Sequence, residues 1–361
     1  MPRVKLTPAP DPEKAARHLA WTQAAAERAR EARKVRGDQL ALRENAIRVG
    51  QSMLETELER LRPESAILRT GLLYLPTEES EEDVNPDLST RRPSESPGLL
   101  SVTVKSRVAD RPPLGQLVHR GGAAIPLLLA AIGVAAARGL PRDAVDLSDI
   151  PNTGTKSWAK LIGDGDPSEL ARRHVVDAVK RLRQHELVRL RGPITKNPGY
   201  SAWQLRSEDG SDGPYRVPAA GLSVPMSFWK NGWAQVLTPP EIVAYLMIRH
   251  LAANFPTAHE DRGVGATPAR RRQRYGVTKR VYATLNELEE FGLVHRTTPQ
   301  RPEAEPDDSV REVSRFQVAE DGLDQDAYTR VKKTLDDWPV PLRAYRYDPL
   351  EAMVRSIARQ V

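Results

Sequence analysis

The chain of 361 residues contains no cysteine, which excludes disulfides and thiolate metal sites and fits a reducing compartment. Catalytic signatures are missing as well: there is no Walker loop, no G-x-G-x-x-G after a predicted strand and no G-x-S-x-G nucleophile turn. The seven histidines are scattered, and His250 with His259, Glu260 and Asp261 lacks the i, i+4 spacing of a helical metal pair. Gly163-Asp-Gly-Asp166 and the Glu208 to Gly213 stretch lack the closing acid of a calcium loop and read as turns. No catalysis, metal or cofactor is expected. Long apolar runs are nearly absent too. The one candidate, Gly121 to Ala137, lies between Arg120 and Arg138, is short for a membrane span and contains Pro126, so a core helix is expected. Pro2 to Arg36 is charged throughout and does not resemble a signal peptide. A soluble, cytoplasmic protein without a membrane partner is the expectation.

What the chain does have is positive charge. A net charge of +6 and a sequence pI near 9.5 fit a polyanionic partner. Arginine outweighs lysine, and alanine and proline are plentiful, a bias of high-GC bacterial genomes. The length allows two or three domains.

Asp11 to Leu61 is a helical pattern of Ala, Glu, Gln and Arg with a thin apolar line. Such a segment cannot bury a core alone, so residues 1–74 are read as a helical arm, solvated with mixed charges, with pairing into a homodimer or docking on the rest of the chain as the alternative. Acidic, Pro-containing residues 75–113 read as a linker. Residues 114–209 then begin with an apolar helix, Leu114 to Ala137, followed by Trp158 to Ile162 and a helix opened by Asp166-Pro-Ser-Glu169 with Val175, Val179 and Leu182 on one stripe. Two strands follow, Leu187 to Leu190 and Ser201 to Leu205, with Lys196 in the loop between them. Residues 210–236 are a connector whose Phe228, Trp229 and Trp233 are expected in the core.

Residues 237–320 repeat the order. Thr238-Pro-Pro-Glu241 opens a helix, and Thr267-Pro268 opens a short arginine-rich one. Tyr275-Gly-Val-Thr278 supplies a turn and an N-cap, and the next helix carries Val281, Leu285 and Leu288 at i, i+4, i+7. Strands are expected at Leu293 to Arg296 and Val313 to Val318. At an offset of about 106 positions Val175 falls on Val281, Val179 on Leu285, Leu182 on Leu288 and Leu187-Val188 on Leu293-Val294, as in a duplicated unit. Residues 321–361 read as two C-terminal helices, which offer a second route to a homodimer.

The order of short helix, Tyr-Gly-Val-Thr, helix and Leu-x-x-x-Gly-Leu-Val resembles the winged helix-turn-helix DNA-binding domains of bacterial regulators and plasmid replication initiators. The resemblance implies a mainly α fold with small β-hairpin wings (α+β), in which two winged-helix domains follow a long N-terminal helix. It implies double-stranded DNA as partner, read by Lys279, Tyr282, Ala283 and Asn286, with Arg270, Arg271, Arg272, Arg274 and Arg280 on phosphates or base edges. By the duplicated register, Arg173, His174, Asp177, Lys180, Arg181 and Gln184 take these places in the first unit, and Lys196 lies at its wing. One feature opposes this picture: the loop from Arg301 to Glu312 carries Glu303, Glu305, Asp307 and Asp308, which phosphate would repel. Transcriptional regulation is the expected role; replication initiation and a protein-binding scaffold are the alternatives.

Overall fold

A computed structural model of the chain describes residues 12–59, 63–75, 111–120, 122–138, 155–164, 169–190, 203–207, 215–297 and 314–337. Among these, the protein is mainly helical with small antiparallel strand pairs. No helix is long and apolar enough to cross a membrane. The chain divides into two compact units, one made of residues 1–41 with 332–361 and the other of residues 42–331.

In the smaller unit, the Ala- and Arg-rich composition forms the long α1 (Pro12–Leu42). Gly37 lies beside Leu335 and Asp336, and Lys332 pairs with Asp336 one turn later. The second C-terminal helix expected, Asp348 to Gln360, lies outside the described residues.

In the larger unit, α2 (Glu44–Leu58) starts after Arg43, whose backbone leaves the ladder at φ −97°, ψ 0°. This helix is not a solvated arm. Ile47, Leu54 and Leu58 are fully buried, and with Gly50 they follow i, i+3, i+7, i+11, one continuous stripe. At Gly50 the backbone of Lys160 and Leu161 comes so close that a Cβ has no room. A buried ion pair, Arg138 Nε to Glu57 at 3.0 Å, fixes the far end. β1 (Ser65–Leu68) then pairs antiparallel with β4 (Leu222–Pro225), Ala66 opposite Val224. The pairing joins stretches that the sequence reading assigned to an arm and to a connector. Between the two strands in the chain, α3 (Thr70–Leu73) follows β1.

The single helix expected from Leu114 to Ala137 is broken. It forms α4 (Pro113–Leu117), a 3-10 turn at Val118–Arg120 and α5 (Ala124–Arg138), because Gly122 at φ 81° turns the chain out of helical space. The expected core helix is α5, whose residues from Leu127 to Ala135 are all buried. Then come α6 (Thr155–Leu161), α7 (Glu169–Gln184) and the hairpin of β2 (Val188–Leu190) and β3 (Trp203–Leu205), with Leu190 opposite Trp203.

After β4 the connector coils into α8 (Ser227–Lys230) and α9 (Trp233–Val236). Phe228, Trp229 and Trp233 are completely buried, as expected of aromatics beside a Pro-bounded turn. Trp229 Nε1 donates to the Leu129 carbonyl in α5 at 2.9 Å, and Phe228 stacks on Tyr245 of the next helix, α10 (Pro239–Asn254). Thr238 opens this helix as expected, and a capping box forms there, with Glu241 accepting from the Thr238 amide at 2.7 Å. α11 (Pro256–Arg262), α12 (Pro268–Arg274), α13 (Lys279–Ala283) and α14 (Leu285–Glu290) follow. β5 (Val294–Thr297) and β6 (Arg315–Val318) pair antiparallel, and Val264 adds a bridge to Phe316. A 3-10 turn at Glu320–Asp324 leads to α15 (Ala327–Asp336), close to the C-terminal helix expected over 324–338.

Candidate nucleic-acid interface

The segment from Thr267 to Val318, expected to be the second of two repeats, is built by local capping. Thr267 accepts from the Arg270 amide at 3.2 Å with Pro268 in the first turn, so α12 starts where the sequence places it. Gly276, at φ 64°, makes the turn, and the Val277 amide closes it on the Arg271 carbonyl at 2.8 Å. Thr278 then accepts from the Val281 amide and opens α13. The stripe of Val281, Leu285 and Leu288 is buried, which sends Lys279, Arg280, Ala283 and Asn286 outward. The expected continuous helix is divided at Thr284, whose hydroxyl donates to the Val281 carbonyl at 2.7 Å and competes with the ladder.

Within this outward face the side chains have different freedom. Lys279 and Arg280 are exposed and make no ion pair with any described residue. Arg272, also exposed, hydrogen-bonds only locally, to the Pro268 carbonyl. Arg271 lies over the Tyr282 ring, its guanidinium carbon 4.8 Å from the centroid. Its pKa is lowered, first by burial and also by the neighbouring Arg272. Asn286 accepts a hydrogen bond from Arg296, which also reaches Glu289 at 3.2 Å and covers Phe316.

Two groups of the expected contact set differ from expectation. Arg270 and Arg274 are 9% and 8% exposed, because their i, i+4 spacing on α12 turns both toward the core. Arg270 covers the Phe255 ring at 5.2 Å, which makes it packing material rather than an open contact. Tyr282 is a strut: its hydroxyl donates to the Ser314 carbonyl at 3.0 Å and its ring meets Phe316 edge-on. Burial raises its pKa, so it stays a neutral donor.

The first repeat shows the same backbone device with different side chains. Val175, Val179 and Leu182 of α7 are buried, and Arg173, Asp177, Lys180 and Gln184 are exposed. After each helix the chain turns through a left-handed residue, Glu186 at φ 58° and Gly292 at φ 80°, positioned 106 residues apart. The Leu187 amide then bonds the Leu182 carbonyl at 3.0 Å, and the Leu293 amide bonds the Leu288 carbonyl at 2.9 Å. On the first helix, however, several polar groups are engaged. His174 Nδ1 meets Asp164 Oδ2 at 2.7 Å, Lys180 lies 3.4 Å from Asp177, and half-buried Arg181 lies over Gly122. Lys196 and the acidic loop with Glu303, Glu305, Asp307 and Asp308 lie outside the described residues.

No protein-family model, curated protein or solved structure matches the chain. Among the described residues, no group of His, Asp and Glu has the arrangement of a metal site.

Sequence reasoning overlooked Arg262, Arg296 and Arg315. Arg262 has its pKa lowered by burial and by the charge of Arg315, which stands opposite Thr297 at the loop end of the β5–β6 pair. By the two-residue period of a strand Arg296 shares the face of buried Val294, so no alternation in the sequence announces that it is exposed.

Proposed function

We propose that the chain binds duplex DNA through its second repeat, read as a winged helix-turn-helix, with α13 and α14 facing the major groove. The observation carrying this reading is the cluster of Arg272, Lys279 and Arg280, exposed together around the capped turn at Thr278 and without an acidic partner among the described residues. Lys279 and Arg280 stand at the helix start, where a recognition helix meets base edges and phosphate. The β5–β6 hairpin serves as the wing, with Arg296 at its root.

The first repeat shares the backbone plan and contributes Arg173, Lys180 and Gln184 as a weaker second contact. We assign transcriptional regulation as the role. Selection and sequencing of bound genomic fragments tests it: sites overlapping promoters support regulation, whereas repeated sites beside an AT-rich stretch near the gene support replication initiation. Binding measured across a salt series tests the reading itself. Neutralising several phosphates requires log affinity to fall linearly with log salt, by about 0.9 per phosphate. Failure to retain any duplex at low salt would overturn it.

A further inference from the structure

Arg296 in β5 lies beside α14, and each nitrogen of its guanidinium is engaged. Nε donates to Glu289 at 3.2 Å, Nη1 reaches the Ser314 hydroxyl at 3.5 Å, and the guanidinium carbon stands 5.0 Å from the Phe316 ring centroid. Nη2 donates to Oδ1 of Asn286. Asn286 and Glu289 share one face of α14 at i, i+3, while Phe316 belongs to β6, so the helix and the hairpin together fix this side chain.

The contact decides what Asn286 can offer. An asparagine amide carries an acceptor at one end and donors at the other, and a free one turns either way. Arginine has donors and no acceptor, so only Oδ1 can face it. Nδ2 is left at the other end of the amide without a partner among the described residues, and Asn286 is exposed.

Asparagine reads adenine through both ends of its amide, Oδ1 accepting from N6 and Nδ2 donating to N7. In Asn286 the accepting end already holds a cation, and an incoming N6–H meets the Arg296 N–H at the same oxygen. Guanine asks for the reverse: it offers acceptors at both N7 and O6, which suit a donor with positive charge beside it. Both purines share N7, so the choice falls on the group at position 6. With α13 and α14 taken as the DNA-binding face, on which this step rests, we infer that Arg296 is a positioning residue that makes Asn286 a donor-only reader, selecting guanine rather than adenine. The first repeat lacks the device: at the offset of 106 positions Lys180 stands in place of Asn286, and Leu190 in place of Arg296.

Selection of bound duplexes from a randomised pool, followed by sequencing, tests this with the full chain and its variants. The wild-type site should contain one base pair whose preference disappears in Asn286→Ala, and the preferred base there should be guanine. In Arg296→Met, which keeps an apolar stem near Phe316 but no donor, adenine should gain about fivefold or more over guanine at that pair alone. Lost packing or a lost phosphate contact would weaken all sites alike and leave the base unchanged. Asn286→Asp keeps an acceptor for Arg296 but has no donor, so guanine should be rejected there even if Arg296→Met does not fold. A preferred base other than guanine, no base pair that answers to Asn286→Ala, or a guanine preference that survives Arg296→Met or Asn286→Asp would overturn the assignment. If the wild-type chain retains no duplex at low salt, the DNA-binding reading itself fails, and this assignment with it.

Discussion

Glu186 holds, at φ 58°, the same left-handed turn that Gly292 makes at φ 80° in the second repeat. A side chain in this region costs about 1 kcal/mol that glycine does not. Glu186→Gly should therefore stabilise the chain by about 1 kcal/mol. Gly292→Glu should destabilise it by at least about 1 kcal/mol, since a Cβ there also presses on Arg330. Urea denaturation of the two variants checks both signs; a loss of stability in Glu186→Gly would show that its side chain contributes more than its backbone costs.

Exposed cations at the start of α13 should act on DNA and leave the fold alone. Lys279→Ala and Arg280→Ala are each expected to lower duplex affinity by about three- to tenfold and to reduce the salt slope by about 1. Their unfolding free energies in urea should stay within about 0.5 kcal/mol of the parent's. Fluorescence anisotropy at several salt concentrations reads the first effect, and an unchanged slope in both variants would remove α13 from the interface.

Arg270 should behave in the opposite way. Its stem and guanidinium cover Phe255 inside the second repeat. Arg270→Ala is expected to cost about 1–3 kcal/mol of stability through lost packing. The salt slope of the protein that remains folded should not change. A reduced slope with unaltered stability would return Arg270 to the contact set.

Much of this division was legible in the sequence, and the physical reasons for the rest are specific. Caps at Thr238, Thr267 and Thr278 depend on neighbours three residues away, so a local reading finds them. The stripes of Val175 to Leu182 and Val281 to Leu288 repeat strongly enough to fix which face is outside. Arginine at positions 270 and 274 looks like surface by type, and only the ring of Phe255, brought in by folding, reveals where Arg270 goes. β1 is four residues long and its partner lies far along the chain, so no periodicity announces it. In α2 the decisive residue is Gly50, whose value is an absent side chain against α6.

That close approach has a measurable consequence. Gly50→Val should destabilise the protein by about 2 kcal/mol or more, because the backbone of Lys160 and Leu161 cannot move aside as a flexible side chain would. Thermal unfolding checks it, and a midpoint equal to the parent's would mean that α2 can slide along α6.

Acid should loosen the second repeat through His250. Its Nδ1 lies 2.9 Å from the Tyr275 hydroxyl, and Tyr74 packs on both rings. Burial, helped by the charge of Arg270, pushes its pKa down to about 4. The unfolded chain titrates near its ordinary value of about 6.5, so it binds more protons than the folded chain between these two pH values. The stabilising contribution is complete above about pH 6.5 and is lost as pH falls toward about 4, by up to about 3 kcal/mol. His250→Gln should flatten this part of the stability profile in urea titrations at stepped pH; an unaltered profile would assign the acid sensitivity to other groups.

The hydrogen bond from Trp229 to the Leu129 carbonyl, with Gly133 pressed against the same indole, locks the long helix of the first repeat to the connector that begins the second. The two are joined by packed side chains rather than by an open linker. If both meet one duplex, the protein is a gauge that measures rotation as well as distance along it. B-DNA turns once in about 10.5 base pairs, so a single inserted pair between the two contacted stretches rotates the far one by about 34°. Such a gauge rejects a site for its phasing even when every base it reads is correct.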